Sequence, residues 1–176
     1  MKTEDYLRHL NRFFAAMAGA IIANGGEILS YLGDAILAIF PFVDAETTPD
    51  ANERLRASAV SAEDACARAI GATRAAALRV AAANVAHPEC PAIHYGIGLH
   101  VGDVTYGNIG IPERLQFTVI GPAANEASRI EGMTKELGES VVVSARFAEH
   151  YSAGLVSRGL HALKGVQGTH ELFALR

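Results

Sequence analysis

An aspartate between two short apolar runs is the first residue that could do chemistry. Asp34 follows Gly33 and separates EILSYL from AILAIFPF. Gly-Asp in this setting predicts a two-residue hairpin turn, because glycine supplies the positive φ that such turns require. A carboxylate at a hairpin tip suits Mg²⁺ held against a triphosphate. An isolated Gly-Asp is more often an ordinary turn, so this pair alone does not predict a metal site.

A second pair of residues could stabilise charge on a phosphate. Asn125 and Arg129 are four residues apart, so both side chains project from one face of a helix near its N-terminus. An amide and a guanidinium arranged in this way could bracket a ribose oxygen and a phosphate as charge develops. A solvated polar face with an ordinary surface arginine explains the same spacing.

A lysine and two histidines complete the candidates. Lys164 follows a strand-like run and precedes Gly165, so it could reach a β- or γ-phosphate as a flexible point charge, or be a simple turn residue. His94 and His100 share one face of a strand pattern by parity. A metal pair and two ordinary core or surface histidines both fit that spacing.

Hydrophobic periodicity and the positions of glycine and proline predict the helices and strands that position these residues. Helices are expected over about residues 4–23, 62–86 and 122–137, the last with proline in its first turn. Strands are expected for the two runs around Asp34 and for IHYGIGLHV, VTYGNIG, LQFTVIG, VVVS, LVSRGLHAL and HELFAL. The glycines of IHYGIGLHV would allow close backbone approach. Residues 44–58 are polar and predict a loop. We expect one α+β domain over residues 1–176.

Composition excludes several classes of protein. The chain has 176 residues, 50% of them apolar, which fits one globular domain. A net charge of -4 gives no support to nucleic-acid binding. Cys66 and Cys90 lie in no CxxC or Cys/His cluster, which argues against a zinc site or a disulfide framework. With no membrane-length apolar run and no signal-peptide core in this chain, we expect a cytoplasmic location.

Taken together and in order, the segments resemble the bacterial class III adenylate/guanylate cyclases. GGEILSYLGDAILAIFP, GIGLHVGDVTYGNIG, RLQFTVIGPAANEASRIEGMTKELG and HALKGV keep the family's order and spacing over roughly residues 5–175. The resemblance implies a ferredoxin-like (βαββαβ) core with extra C-terminal strands. It also implies a head-to-tail homodimer that binds ATP at the subunit interface with two Mg²⁺ or Mn²⁺ ions and forms cyclic AMP and pyrophosphate.

The resemblance also implies roles for individual residues. By motif match, Asp34 falls on a metal-binding aspartate of the family. Asn125 and Arg129 fall on the pair that stabilises the transition state from the opposite subunit. Lys164 falls on the lysine that contacts the triphosphate, and Arg114 lies near a further phosphate-contacting position.

Two family positions select the purine. The first is usually lysine in adenylate cyclases and glutamate in guanylate cyclases, and here it is Ser30. The second is Thr118, a residue common in bacterial adenylate cyclases. Serine can donate or accept a hydrogen bond, so Ser30 neither demands adenine nor excludes guanine. Thr118 and the absence of the glutamate favour ATP.

The sequence departs from the family before its first helix. Family members carry a central strand there, ending in the first metal aspartate, whereas this chain has Met1-Lys2-Thr3. A misplaced start or truncation, a strand borrowed from a partner, and a loss of catalysis would each explain the difference. Because one aspartate cannot organise two ions, we expect little cyclase activity from the chain as given. The alternative function is a catalytically silent cyclase-like module that binds nucleotide or forms a heterodimer with an active subunit.

Overall fold

The computed structural model describes residues 3–42, 60–111 and 114–176. For residue 3 and for residues 106–111 and 114–120 it describes the backbone and not the side chains. The predicted loop over residues 44–58 lies outside the described residues. The chain divides into two compact units, Met1–Ile93 and His94–Arg176, and each is described by itself.

The described residues of the first unit form two long helices and a β-hairpin. Their order is α1 (Thr3–Ala23), β1 (Glu27–Leu32), β2 (Ala35–Ile39) and α2 (Ala62–Ala86). The strands β1 and β2 are antiparallel. Helix α1 ends at Ala23, and the chain then turns sharply at Gly25, where φ is 75°.

Small side chains allow α1 and α2 to pack closely. Helix α2 begins at Ser61, whose hydroxyl accepts a hydrogen bond from the Asp64 amide at 3.0 Å. The buried hydrophobic residues of the two helices are mostly alanines: Ala16, Met17, Ala20, Ala65, Cys66, Ala69, Ile70, Ala72, Ala76 and Val80. Near the other end of α2, Arg12 Nη2 donates to the carbonyl oxygen of Ala83 at 2.8 Å.

The described residues of the second unit alternate between strands and helices. Their order is β3 (Ile97–Leu99), β4 (Thr105–Ile111), β5 (Arg114–Ile120), α3 (Pro122–Leu137), β6 (Val141–Ser144), α4 (Ala145–Ala148), β7 (Leu155–Ala162) and β8 (Thr169–Leu175). One sheet has the order β3-β6-β8-β7, with β3 parallel to β6 and the other pairs antiparallel. The strands β4 and β5 form a separate antiparallel hairpin.

The core of the second unit lies between α3 and the four-stranded sheet. Its buried residues come from four elements or their ends: Ile130, Met133, Val142, Leu163 and Leu172, with Leu137 and Val166 packed against them. Helix α3 starts with Pro122 in its first turn and ends at Gly138, where φ is 68°. Proline and glycine are the residues expected at these two ends of a helix.

The α+β class predicted from the sequence is confirmed, and the three long helices match their predicted bounds closely. The order α1-β1-β2-α2-β3 is that of a βαββαβ core from its first helix onward. The nine-residue run IHYGIGLHV was predicted as one strand, but only Ile97–Leu99 is a strand, because β6 pairs with just these three residues. No helix among the described ranges has the length and apolarity needed to cross a membrane.

Candidate active site

Asp34 lies at the tip of the β1–β2 hairpin, as the sequence predicted. Leu32 pairs with Ala35, which leaves Gly33 and Asp34 as a two-residue turn. Gly33 has a φ of 65°, so glycine supplies the positive φ that a hairpin turn of this length needs. The Asp34 side chain is exposed. The hairpin therefore presents a free-standing carboxylate to solvent at a point fixed by two paired strands.

Ser30 lies on β1 next to an irregularity in the pairing. Ile28 pairs with Ala38 and Ser30 pairs with Leu37, so Leu29 is an extra residue on this strand. Such a bulge turns the following side chain relative to a regular strand and is frequent beside functional sites. The Ser30 side chain is half-buried.

Asn125 and Arg129 lie one turn apart on α3, and both are exposed. The opposite side of this helix is buried, since Ile130 and Met133 belong to the core. The amide and the guanidinium therefore project to solvent from a helix whose other face is fixed by packing, as the spacing of four residues predicted.

Lys164 lies in a tight turn between β7 and β8. The Val166 amide donates to the Leu163 carbonyl at 3.0 Å, and Gly165 has a φ of 77° in the middle of the turn. Leu163 is buried in the core beside α3, whereas Lys164 is exposed. Leu163 thus holds the turn against the core, while the basic side chain of Lys164 is exposed.

Thr118 and Arg114 lie on β5 and are described through the backbone only. Thr118 pairs with Gly107, and Arg114 pairs with Ile111 at the end of the β4–β5 hairpin.

The two units each contain part of the predicted site. The hairpin of the first unit contains Asp34 and Ser30. In the second unit, α3 and the Lys164 turn meet in one core, because Ile130 and Leu163 belong to the same buried cluster. The residues of each motif therefore lie on one helix, hairpin or turn, as the motifs predicted.

One exposed carboxylate among the described residues has the chemistry of a divalent-metal ligand. Mg²⁺ is commonly bound by one or two carboxylates together with substrate phosphates and water, and the exposed Asp34 carboxylate suits that role. No group of three or more His, Cys, Asp or Glu residues that could hold a metal occurs in the parts of the chain that are described. The role of Asp34 as a metal ligand stays a prediction.

Sequence reasoning missed one polar cluster beside this helix. His100 Nε2 lies 3.4 Å from Glu126 Oε2 on α3, and His100 Nδ1 lies 2.9 Å from Ser144 Oγ at the end of β6. A histidine among glycines at alternate positions, as in GIGLHVG, was the available signal. His94 is exposed, and its pairing with His100 on a metal stays a prediction.

Comparison with known proteins identifies the family. A sequence model of the adenylate and guanylate cyclase catalytic domain matches residues 2–176. The chain belongs to this family. The adenylate cyclase of Anabaena cylindrica is 33% identical to this cyclase domain over 166 residues, which are 91% of this chain and 30% of that protein. The chain therefore spans less than a third of the length of this relative.

Solved cyclase structures share the fold of this cyclase domain. The match to the adenylyl cyclase CyaB from P. aeruginosa has a TM-score of 0.78 at 19% identity. It covers all of this chain and 84% of the CyaB chain. The guanylyl cyclase Cya2 has a TM-score of 0.76 at 24% identity, with 99% and 81% covered. At these identities the likeness establishes the fold alone. The predicted cyclase fold is confirmed.

Proposed function

We propose that this cyclase domain converts ATP to cyclic AMP and pyrophosphate. The observation that carries the proposal is the 33% identity to an adenylate cyclase over 91% of the chain, combined with exposed polar residues at the matching motif positions. Those residues are Asp34, Asn125, Arg129 and Lys164. Their types suit a reaction in which a triphosphate is bound and negative charge develops on its α-phosphate.

The proposed reaction is an intramolecular phosphoryl transfer. The ribose 3′-oxygen forms a bond to the α-phosphorus, and the bond from that phosphorus to the oxygen of pyrophosphate breaks. The 3′-hydroxyl loses its proton, and pyrophosphate takes away the electron pair. Since little covalent chemistry falls to the protein, its work is to position the nucleotide and to stabilise charge.

Each residue of the second unit that matches a phosphate- or ribose-contacting position of the family is proposed to have a role that suits its chemistry. The Arg129 guanidinium would donate in a fork to α-phosphate oxygens as their charge rises. The Asn125 amide would hold the ribose ring oxygen and so orient the 3′-hydroxyl. Lys164 would pair with the β- and γ-phosphates as a point charge, and Arg114 would add a further phosphate contact.

Asp34 is the residue proposed to hold a divalent cation. A bound Mg²⁺ or Mn²⁺ would supply positive charge beside the reacting phosphate and lower the pKa of a neighbouring hydroxyl. The hairpin presents the carboxylate, and substrate phosphates and water complete the shell in the usual manner of Mg²⁺. The family uses two such ions, and Asp34 is the matching protein ligand in this sequence.

Preference for ATP over GTP is proposed to be modest. Ser30 takes the place of the charged residue that usually selects the purine, and a hydroxyl can donate or accept. Thr118 at the second selecting position and the identity to an adenylate cyclase both favour adenine. The chain is proposed to work as a head-to-tail homodimer in the cytoplasm, where ATP is available.

The deciding experiment measures products from both nucleotides. The purified 176-residue chain is incubated with Mn²⁺ and either ATP or GTP, and cyclic AMP and cyclic GMP are quantified. We expect a low rate of turnover in which cyclic AMP exceeds cyclic GMP, and we expect this product to disappear in Asp34→Ala. Glu27→Ala, which removes another exposed carboxylate from the same hairpin, is the matched control and keeps the activity. Equal loss in both variants, or no nucleotide dependence, contradicts the proposal.

A second function is favoured by one observation. Ser30 takes the place of the charged residue that usually selects the purine in this family. A catalytically silent module that binds nucleotide or forms a heterodimer would need no strict selection of the purine. It predicts that the chain binds ATP, detected by calorimetry, while it forms neither cyclic AMP nor cyclic GMP.

A further inference from the structure

Tyr31 contacts helix α1 close to the tip of the β1–β2 hairpin. The centroid of its ring lies 4.8 Å from that of the Phe14 ring, and the two ring planes are tilted by 59°. Aromatic rings at such a distance and tilt attract each other beyond the effect of burial alone. Leu32 is the one residue between Tyr31 and the Gly33-Asp34 turn. The contact therefore joins the end of the hairpin that carries Asp34 to the helix.

The bulge at Leu29 decides which face of β1 meets α1. Side chains alternate along a regular strand, so Ile28 and Tyr31, three residues apart, would lie on opposite faces. Because the pairing skips Leu29, Ile28 pairs with Ala38. Tyr31 pairs with Ile36, which shares a face of β2 with Ala38. Ile28 and Tyr31 therefore lie on one face, which is the face that meets the helix.

The same bulge places Ser30 on the opposite face of the hairpin. Ser30 directly precedes Tyr31, so its side chain points away from α1. Asp34 lies in the turn itself and is exposed. The residue that contacts the helix and the two residues proposed to meet the metal ion and the purine thus belong to one short segment, residues 30–34.

Helix α1 contacts the hairpin at two points. At the base, a Cβ atom on Gly26 would lie 2.7 Å from both Ile21 Cγ2 and Phe40 Cζ, so these two side chains pack directly on the glycine. The second point is Phe14, seven residues before Ile21. Residues seven apart are about two turns apart and lie on the same face of a helix. The strand β1 therefore runs back along α1 from the first point to the second.

The hairpin depends on α1, because two strands alone are only marginally stable in water. Among the described residues, β1 and β2 form a sheet of two strands. Residues 32–35 are all exposed. Tyr31 and Ile36 are therefore the cross-strand pair nearest the turn on the face that meets the helix. Without the Tyr31 ring, this end of the hairpin would lose its aromatic contact with Phe14.

We propose that Tyr31 is a positioning residue for Asp34 and Ser30. By packing on Phe14, it fixes the tip of the hairpin against α1, so that the carboxylate and the hydroxyl meet the metal ion and the purine in one position. The proposal rests on the function proposed above. Misplacement of a group by about 1 Å costs on the order of a hundredfold in rate, which is the scale at which such a contact matters.

The test compares variants that remove or keep the ring contact. Tyr31→Ala removes it from the strand and Phe14→Ala from the helix, while Tyr31→Phe keeps the ring and is the conservative rescue. If Phe14→Ala does not fold, Phe14→Leu replaces it, because leucine keeps an apolar side chain and lacks the ring. Tyr6→Ala makes the same change at another exposed tyrosine on α1, 45% exposed against 52% for Tyr31, and is the matched control.

Two kinds of measurement are made on the full 176-residue chain. Amide hydrogen exchange is followed at the tip of the hairpin, residues 31–36, and at its base, residues 27–28 and 38–39. The activity measurements give kcat with ATP and the concentration of Mn²⁺ that gives half of the maximal rate. The exchange at the base serves as an internal control, since its contact with Ile21 and Phe40 is intact in every variant.

The expected result is a local loss. Both alanine variants should speed exchange at the tip about tenfold or more, with less than about a threefold change at the base. They should also lower kcat at least about tenfold and raise the half-saturating Mn²⁺ concentration. Tyr31→Phe and Tyr6→Ala should match the wild type, and the double alanine variant should be no worse than either single one. Wild-type exchange at the tip, or wild-type kcat, in a folded Tyr31→Ala overturns the proposal.

A general contribution to stability gives a different pattern. If Tyr31 only stabilised the fold as a whole, exchange would rise alike at the tip and the base, and the folded variants would keep the kcat and the Mn²⁺ requirement of the wild type. That pattern also overturns the proposal. A wild-type chain that forms neither cyclic nucleotide overturns the proposed function instead, and the exchange at the tip relative to the base then decides whether the ring contact holds the hairpin.

Discussion

Gly98 lies against the backbone of Glu131 on α3. A Cβ atom placed on Gly98 would meet the amide nitrogen of Glu131 and would lie 2.5 Å from the carbonyl oxygen of Ala127. Both are backbone atoms of a helix, which cannot move aside as the end of a flexible side chain can. The distance between β3 and α3 is therefore set by the absence of a side chain at residue 98.

Gly98→Ala should destabilise the protein, whereas Gly132→Ala on α3 should stabilise it. The first change forces α3 away from the strand and is expected to cost about 1–3 kcal/mol. Nothing lies within 4 Å of a Cβ on Gly132, and alanine in a helix interior is favoured over glycine by about 0.5–1 kcal/mol. Urea unfolding measures the change in the free energy of unfolding for each of the two variants. A Gly98→Ala protein as stable as the wild type would contradict the close approach.

The stability of the protein should fall in mild acid because of His100. Its pKa is lowered in the folded state, mainly by burial. The unfolded chain therefore takes up a proton near pH 6.5, where the folded protein does not. The contribution of this group is present above about pH 6.5 and is lost progressively as the pH falls below that value.

The measurement compares the pH dependence of two histidine variants. The free energy of unfolding is determined between about pH 8 and about pH 5.5 for the wild type, His100→Gln and His94→Ala. His100→Gln should lose less stability on acidification, because glutamine does not titrate. His94→Ala should follow the wild type. Equal slopes for wild type and His100→Gln would show that the buried histidine does not govern this range.

Complementation should reveal whether Asp34 and Arg129 act from different subunits. In a protein that forms cyclic AMP, Asp34→Ala and Arg129→Ala should each lose at least about a hundredfold in activity. Mixing them should restore about a quarter of the wild-type rate, since half of randomly formed dimers are mixed and each has one intact site of two.

The control for that experiment uses two changes on one helix. Asn125 and Arg129 are both on α3, so a mixture of Asn125→Ala and Arg129→Ala leaves every site with one damaged residue. No recovery is expected from it. Equal recovery in the two mixtures, or none in either despite mixed dimers, would argue against a site shared between subunits.

Ser30→Lys should sharpen the choice of ATP over GTP. A lysine can donate to the purine and cannot accept, whereas the serine hydroxyl does both. We expect the ratio of kcat/KM for ATP to that for GTP to rise about tenfold, the scale of one discriminating polar contact. Glu27→Lys places the same residue on the same strand and should leave the ratio unchanged. A similar rise of this ratio in both variants would show that the added positive charge changes the selectivity regardless of its position.

Much of the candidate site could be predicted from local signals. The Gly33-Asp34 turn needs only a positive φ between two apolar runs, and the helix over residues 122–137 is bounded by a proline and a glycine. The exposure of Asn125 and Arg129 follows from their spacing against the buried Ile130. Each of these features depends on residues within one turn or one hairpin.

The length of β3 was the main feature of the described fold that the sequence did not predict. IHYGIGLHV alternates like a nine-residue strand, but strand pairing stops where the partner stops, and β6 pairs with only three of these residues. The number of residues that a neighbour can pair is not encoded in the pattern of the strand itself.

By itself, the sequence determined the helices, the hairpin that presents Asp34 and the membership of a nucleotide cyclase family, because these depend on local propensity and on the order of motifs. Only the tertiary structure decided what His100 contacts. Glu126 and Ser144 are 26 and 44 residues away from it along the chain. Glu126 comes near because three glycines let α3 approach this segment closely, and Ser144 comes near because β6 pairs with β3. A contact of that kind depends on how elements pack, which no spacing within one element can specify.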